Sequence, residues 1–148
     1  MKKILIIEDE ETIRNELKTL LENFGYKVLM LEKFTNAKED IKSMTLDLIL
    51  LDINLPNING EMLLKEIRKE SNIPVIMVTS RVCEVDEVLS MSYGADDYIT
   101  KPYNPTILLL RIQNIFKRME NNRDDLFYDD IVVNPKKGIL EKNGKVLE

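Results

Sequence analysis

The chain has 148 residues, a net charge of -5, 44% hydrophobic and 32% charged residues, a single cysteine and no histidine. That length suits one domain of usual size plus a remnant, the hydrophobic content argues against disorder, and an acidic balance gives no general attraction to nucleic acid or anionic lipid. The lone Cys83 excludes an intrachain disulfide and a cysteine-based zinc cluster, so a reducing cytoplasm is the expected setting, with Cys83 itself a small packed hydrophobe. Lys2-Lys3 before ILII begins like a signal peptide, but the apolar run is short and meets Glu8-Asp9-Glu10-Glu11. No run approaches transmembrane length.

The first 120 residues alternate β-type runs with stretches of helical periodicity, the pattern of a parallel sheet with crossover helices. Strands are predicted at Lys3–Ile7, Lys27–Leu31, Leu48–Leu51, Val75–Val78 and Asp97–Ile99. The middle ones are apolar throughout, as strands covered on both faces should be. Ile13, Leu17, Leu20, Leu21 and Phe24 form the stripe of a first helix, which Gly25 stops. Met62, Leu63 and Ile67 mark the third helix. Val85, Val88 and Leu89 mark the fourth, which Gly94 closes, and Leu108, Leu109, Ile112, Ile115, Phe116 and Met119 mark the fifth. Right-handed crossovers leave few topologies for five such units.

After Met119 the sequence ENNRDD offers no apolar face and is expected to be a linker over 121–127. IVVN, GILEK and KVLE are short β-type runs, with Asn143-Gly144 a two-residue hairpin signal between the last two. So few strands cannot make a stable core, so 128–148 is expected to be the start of a larger domain.

The predicted strands have chemistry at their carboxyl ends, the edge where open α/β folds place ligand crevices. Glu8-Asp9 follow the first, Asp52 the third, Thr79 the fourth and Lys101 the fifth. Each has a plainer reading alone. Glu8-Asp9 suit a helix N-terminus, Asp52 opens a loop before Asn54 and Pro56, Thr79 caps a helix, and Lys101 is a solvated charge. No capping argument places all of them at successive strand ends. Three carboxylates about 5 Å apart repel by about 3 kcal/mol per pair at an effective dielectric near 20, so a cation must compensate. Lys101 and Mg²⁺ are the choices, and Mg²⁺ suits few carboxylates, water and a phosphoryl group. A carboxylate there can become an aspartyl phosphate, with the cations neutralising the transferred oxygens.

With these motifs in order, KKILIIEDEE, LILLDINLPNINGEMLLKEIR, IPVIMVTSR and GADDYITKPYNP, the chain resembles the response-regulator receiver domains of two-component signalling over residues 1 to about 120. The resemblance implies a flavodoxin-like (βα)5 fold with parallel strand order 2-1-3-4-5. It makes Asp52 the phosphoacceptor, Asp9 a direct Mg²⁺ ligand, Glu8 a ligand through water and Asn54 a backbone-carbonyl ligand. Thr79 and Lys101 contact phosphoryl oxygens, Tyr98 switches with Thr79, and Lys101-Pro102 is a cis peptide. With no histidine the chain cannot donate from phosphohistidine, so it accepts from a sensor kinase or a small donor.

GADDYITKP also resembles the OmpR/PhoB class of DNA-binding regulators, whose receivers dimerise through the face of the fourth helix, fifth strand and fifth helix. Asp97 and Arg111 match one ion pair of that face. Glu87, Ile107, Ser92 and Gln113 depart from its charged pattern, leaving apolar contact through Ile107 and Leu110. The tail resembles the opening strands of the class's winged-helix domain, without a recognition helix, so promoter DNA would be read only through the rest of that domain. A metal-dependent phosphatase with an Asp nucleophile is the competing enzymatic reading. It would carry a second Asp at the position of Asn54 to act as general acid. None of the five glycines forms a GxGxxG phosphate loop, which weakens a nucleotide- or flavin-binding reading. A phosphorylation-independent binding module has no use for the acidic residues.

Overall fold

The computed structural model describes residues 1–31, 33–80 and 84–128, with side chains through Glu120. Its elements are β1 (Lys3–Ile7), α1 (Glu11–Asn23), β2 (Lys27–Met30), α2 (Ala37–Lys42), β3 (Leu48–Leu51), β4 (Asn54–Leu55), β5 (Ile58–Asn59), α3 (Gly60–Arg68), β6 (Val75–Thr79), α4 (Glu84–Ser92), β7 (Asp97–Thr100) and α5 (Pro105–Tyr128). Five strands form one parallel sheet in the order β2-β1-β3-β6-β7. This is the flavodoxin-like arrangement. The antiparallel β4–β5 pair is additional, so the predicted fourth and fifth strands are β6 and β7.

Register sets up the site. Ile7 lies opposite Leu51, so Glu8 and Asp52 leave neighbouring strands at the same level. On the next pair of strands Thr79 lies opposite Thr100, which puts Lys101 one residue beyond that level. The last four residues of β1 and all of β3 and β6 are buried, as their apolar sequences require of strands covered on both faces. Such burial stabilises by about 25 cal/mol per Å² of apolar surface removed from water.

The helices end where glycine permits. Gly25 has φ +88° just past α1, and Gly94 has φ +108° just past α4. Both occupy the left-handed region where a Cβ is penalised. Asn59 caps α3, its Oδ1 accepting from the backbone N–H groups of Glu61 and Met62 at 2.8 and 3.1 Å.

Several predicted core positions are corrected. Phe24 and Met62 are 54% and 53% exposed, and the buried face of α3 carries Leu63, Leu64 and Ile67. In α4, Val85 and Val88 are 63% and 61% exposed while Asp86 and Ser90 are buried. Leu89, predicted on the same stripe, is half-buried, and Ser90 beside it meets a carboxylate of a neighbouring helix.

The chain divides inside α5 into two compact units, Met1–Leu109 and Leu110–Glu148. In the first, Leu108 and Leu109 are buried; in the second, Ile112, Ile115 and Phe116 are. The stretch expected as a linker, 121–127, continues α5 to Tyr128. Its polar residues retain enough helix propensity for the helix to run on. The β-type runs of 129–148 and Cys83 lie outside the described residues.

Candidate functional site

The carboxylates of Glu8, Asp9 and Asp52 place ligand oxygens within 4.8 Å of one another. Glu8 and Asp52 are 3% and 5% exposed, whereas Asp9 is exposed, so the cluster opens to solvent on one side. Lys101 Nζ donates to Glu8 Oε1 at 2.6 Å and to Asp52 Oδ2 at 3.1 Å. Its side chain is only 11% exposed. One ammonium against three carboxylates leaves two negative charges in excess, and that excess, with hard oxygen donors and an open side, fits a divalent cation such as Mg²⁺.

The backbone holds these groups in place. The N–H of Asn54 donates to Asp52 Oδ1 at 3.3 Å, and that of Glu10 donates to Glu8 Oε2 at 3.1 Å. Arg14 Nη1 donates to the Glu8 carbonyl at 3.2 Å, pinning the turn that follows β1. The Lys101–Pro102 peptide is cis.

Burial pushes the Glu8 carboxyl above its usual value, and the hydrogen bonds from Lys101 and Glu10 only partly offset it. For Lys101, burial pulls downward, but the hydrogen bond to Glu8 and the charges of Asp52 and Glu8 outweigh it, so its pKa is raised and the ammonium persists. A proton is therefore easier to place on Glu8 than to remove from Lys101.

Of the other expected residues, Thr79 is fully buried at the end of β6 and Tyr98, in β7, is 8% exposed. Tyr98 pairs in register with Met77, two residues before Thr79. Ile107 and Leu110 are 47% and 51% exposed on one side of α5, and Asp97 and Arg111 are half-buried. A cavity of about 420 Å³ adjoins Asp9, lined also by Arg14, Lys33, Thr35 and Asn57. A larger groove of about 1130 Å³ runs from Lys101 along α1 past Glu10, Ile13, Glu16 and Tyr103.

Gly60 was not singled out from the sequence. A Cβ there would overlap the backbone carbonyl of Asp52, and the Gly60 N–H donates to Ile53 O at 2.8 Å. The first turn of α3 thus braces the phosphoacceptor candidate from behind. Asn-Gly ahead of an apolar run was the available signal, since it marks a capped helix start with room for a close backbone approach.

Residues 4–113 match the response regulator receiver domain family. The aerobic respiration control protein ArcA of Escherichia coli is 41% identical over 118 residues, covering 80% of this chain and 50% of that protein. The sensory transduction protein RegX3 of Mycolicibacterium smegmatis is 38% identical over 133 residues, 90% of this chain and 58% of that one. The chain thus spans roughly half the length of these curated relatives. Among solved structures, a CheY-like receiver domain protein from Methanospirillum hungatei superposes with a TM-score of 0.77 at 33% identity, covering 82% of this chain and 98% of that one. The acidic cluster, the sheet that presents it and these matches agree: the chain belongs to the response regulator receiver domain family.

Proposed function

We propose that this chain is a phosphoacceptor switch of a two-component phosphorelay, taking a phosphoryl group on Asp52 from a cognate sensor kinase or a small acyl phosphate. The observation that carries this reading is one half-buried lysine bridging Glu8 and Asp52, with Asp9 closing the cluster at the carboxyl edge of the sheet. An Asp52 carboxylate oxygen attacks phosphorus. The bond from phosphorus to the donor atom breaks and its electron pair leaves with the donor, a kinase imidazole taking a proton from solvent and an acyl phosphate departing as a carboxylate. Bound Mg²⁺, held by Asp9, Asp52 and the Asn54 carbonyl with Glu8 acting through water, would neutralise the phosphoryl oxygens. Lys101 leaves its ion pairs for a phosphoryl oxygen, and Thr79 donates its hydroxyl to another.

The phosphatase reading is weaker for a chemical reason. The Asn54 amide is no acid and cannot protonate a leaving group, and its backbone N–H donates to Asp52. The aspartyl phosphate therefore persists until water slowly displaces it as inorganic phosphate.

The added charge of about -1.5 to -2 biases Thr79 and Tyr98, and through them α4 and β7. Homodimerisation through α4, β7 and α5 follows, with Ile107 and Leu110 as apolar contacts and Asp97 and Arg111 as its charged pair. Exposed pairs contribute about 0–1 kcal/mol, so the apolar contacts dominate. Residues 1–120 act as the receiver, 121–127 as the connection, and 128–148 as the start of a winged-helix domain through which the longer protein would control transcription at promoter DNA. The setting is the cytoplasm, where sensor kinases present phosphohistidine.

Incubation with acetyl phosphate and Mg²⁺, followed by intact mass, tests this. The wild type gains one phosphoryl group and Asp52→Asn gains none. Equal gain in both would refute the assignment.

A further inference from the structure

The packing of α4 is inverted. Its inner side carries Asp86 and Ser90, and Val85, Val88 and Met91 on its outer side are 63%, 61% and 44% exposed. Apolar burial on this helix comes from the half-buried Leu89, and it is non-directional. Directional polar contacts of α3 with Ser90, and with Tyr93 and Gly94 just past the end of α4, add to it. Ser90 Oγ, fully buried, donates to Glu61 Oε2 at 3.4 Å. One turn further along α3, Lys65 Nζ lies 4.8 Å from the centre of the Tyr93 ring. A turn beyond that, Arg68 Nε donates to the Gly94 carbonyl at 2.9 Å. Glu61, Lys65 and Arg68 are spaced i, i+4 and i+7, so they form one seam along α3.

The seam starts beside the reacting residue. Glu61 directly follows Gly60, whose backbone is pressed against the Asp52 carbonyl and bonded to Ile53 O. A shift of the Asp52 loop must move Gly60, and with it the carboxylate that holds Ser90. We propose that Glu61 is a positioning residue that couples the state of Asp52 to α4 through α3, a second route beside the one through Thr79 and Tyr98. This inference rests on the phosphoacceptor reading of Asp52, and the two fail differently.

Hydrogen exchange of peptides covering 84–93 in the full chain, before and after incubation with acetyl phosphate and Mg²⁺, measures the coupling, while intact mass on the same samples measures phosphorylation. Ser90→Ala removes only the donor hydroxyl, Glu61→Ala removes the acceptor, and Glu61→Gln keeps an acceptor oxygen in place. Both alanine variants are expected to gain the phosphoryl group as wild type does, while the exchange response of α4 falls about fivefold, the scale of one lost hydrogen bond. Glu61→Gln is expected to recover most of the response. A wild-type response in both alanine variants, a Glu61→Gln as deficient as Glu61→Ala, or a response lost only in proportion to phosphorylation overturns the coupling role. No mass gain in wild type overturns the phosphoacceptor reading instead.

Discussion

Lys101→Met, in Mg²⁺-free buffer with chelator, isolates the electrostatic role of the lysine. Methionine keeps the apolar stem and deletes the ammonium that sits 2.6 Å from Glu8 and 3.1 Å from Asp52. At an effective dielectric near 20 those two contacts amount to about 6 and 5 kcal/mol of gross attraction. Desolvation offsets most of that, and removing one partner of a buried pair typically costs about 3–5 kcal/mol. Proton uptake sets a ceiling on the Glu8 share, because a carboxyl with an ordinary value of 4.5 can be protonated at pH 7 for about 3.4 kcal/mol. Burial already favours that neutral form. The expected loss at pH 7 is therefore about 3 kcal/mol, read in urea unfolding as a midpoint lowered by about 1.5 M at a slope near 2 kcal/mol/M. The loss shrinks as pH falls towards 5.5, where protonating even a carboxyl of ordinary value costs only about 1.4 kcal/mol. A loss under about 1 kcal/mol at pH 7, or one that stays constant with pH, would refute the reasoning.

Two further outcomes test the packing around the site. Arg68 donates to the Gly94 and Ile73 carbonyls at 2.9 and 2.6 Å and pairs with Asp96 at 3.1 Å, so Arg68→Ala should cost about 2–4 kcal/mol in chemical denaturation. Arg68→Lys should recover little, because one ammonium cannot span that fork. Burial first, and then the charges of Glu16 and Glu8, push the Tyr103 phenol up to about 12 from 10.0. The folded chain then keeps a proton that the unfolded chain releases, so Tyr103 contributes nothing below pH 10 and stability falls as pH rises from 10 towards 12. Thermal unfolding across that range should fall less steeply in Tyr103→Phe.

Much of the site could be read from the chain because strand ends are local. Ile4–Ile7, Leu48–Leu51 and Val75–Val78 are apolar enough to announce buried strands, and the sheet register then fixes Glu8 beside Asp52. Helix faces were less legible. In α4 the apolar arc of Val85 and Val88 is real, but the inner side belongs to Ser90 and Asp86 because Glu61, 29 residues before Ser90, supplies a partner there. Periodicity contains nothing about such a partner. Phe24 was misplaced because it follows the last residue of α1, where the packed arc has run out, and Met62 because it faces solvent between the buried Glu61 and Leu63 of α3. The β4–β5 pair is too short for alternation to reveal, and Asn57 at its turn, with φ +71°, is its clearest mark.

The most direct test of the account is where the phosphoryl group resides. After incubation with acetyl phosphate and Mg²⁺, borohydride reduction converts an aspartyl phosphate to homoserine, which peptide mass spectrometry can place. The account predicts homoserine at position 52, dependent on Mg²⁺ and absent from Asp52→Asn. Homoserine at position 9 instead, or phosphate stable to borohydride on a serine or threonine, would contradict it.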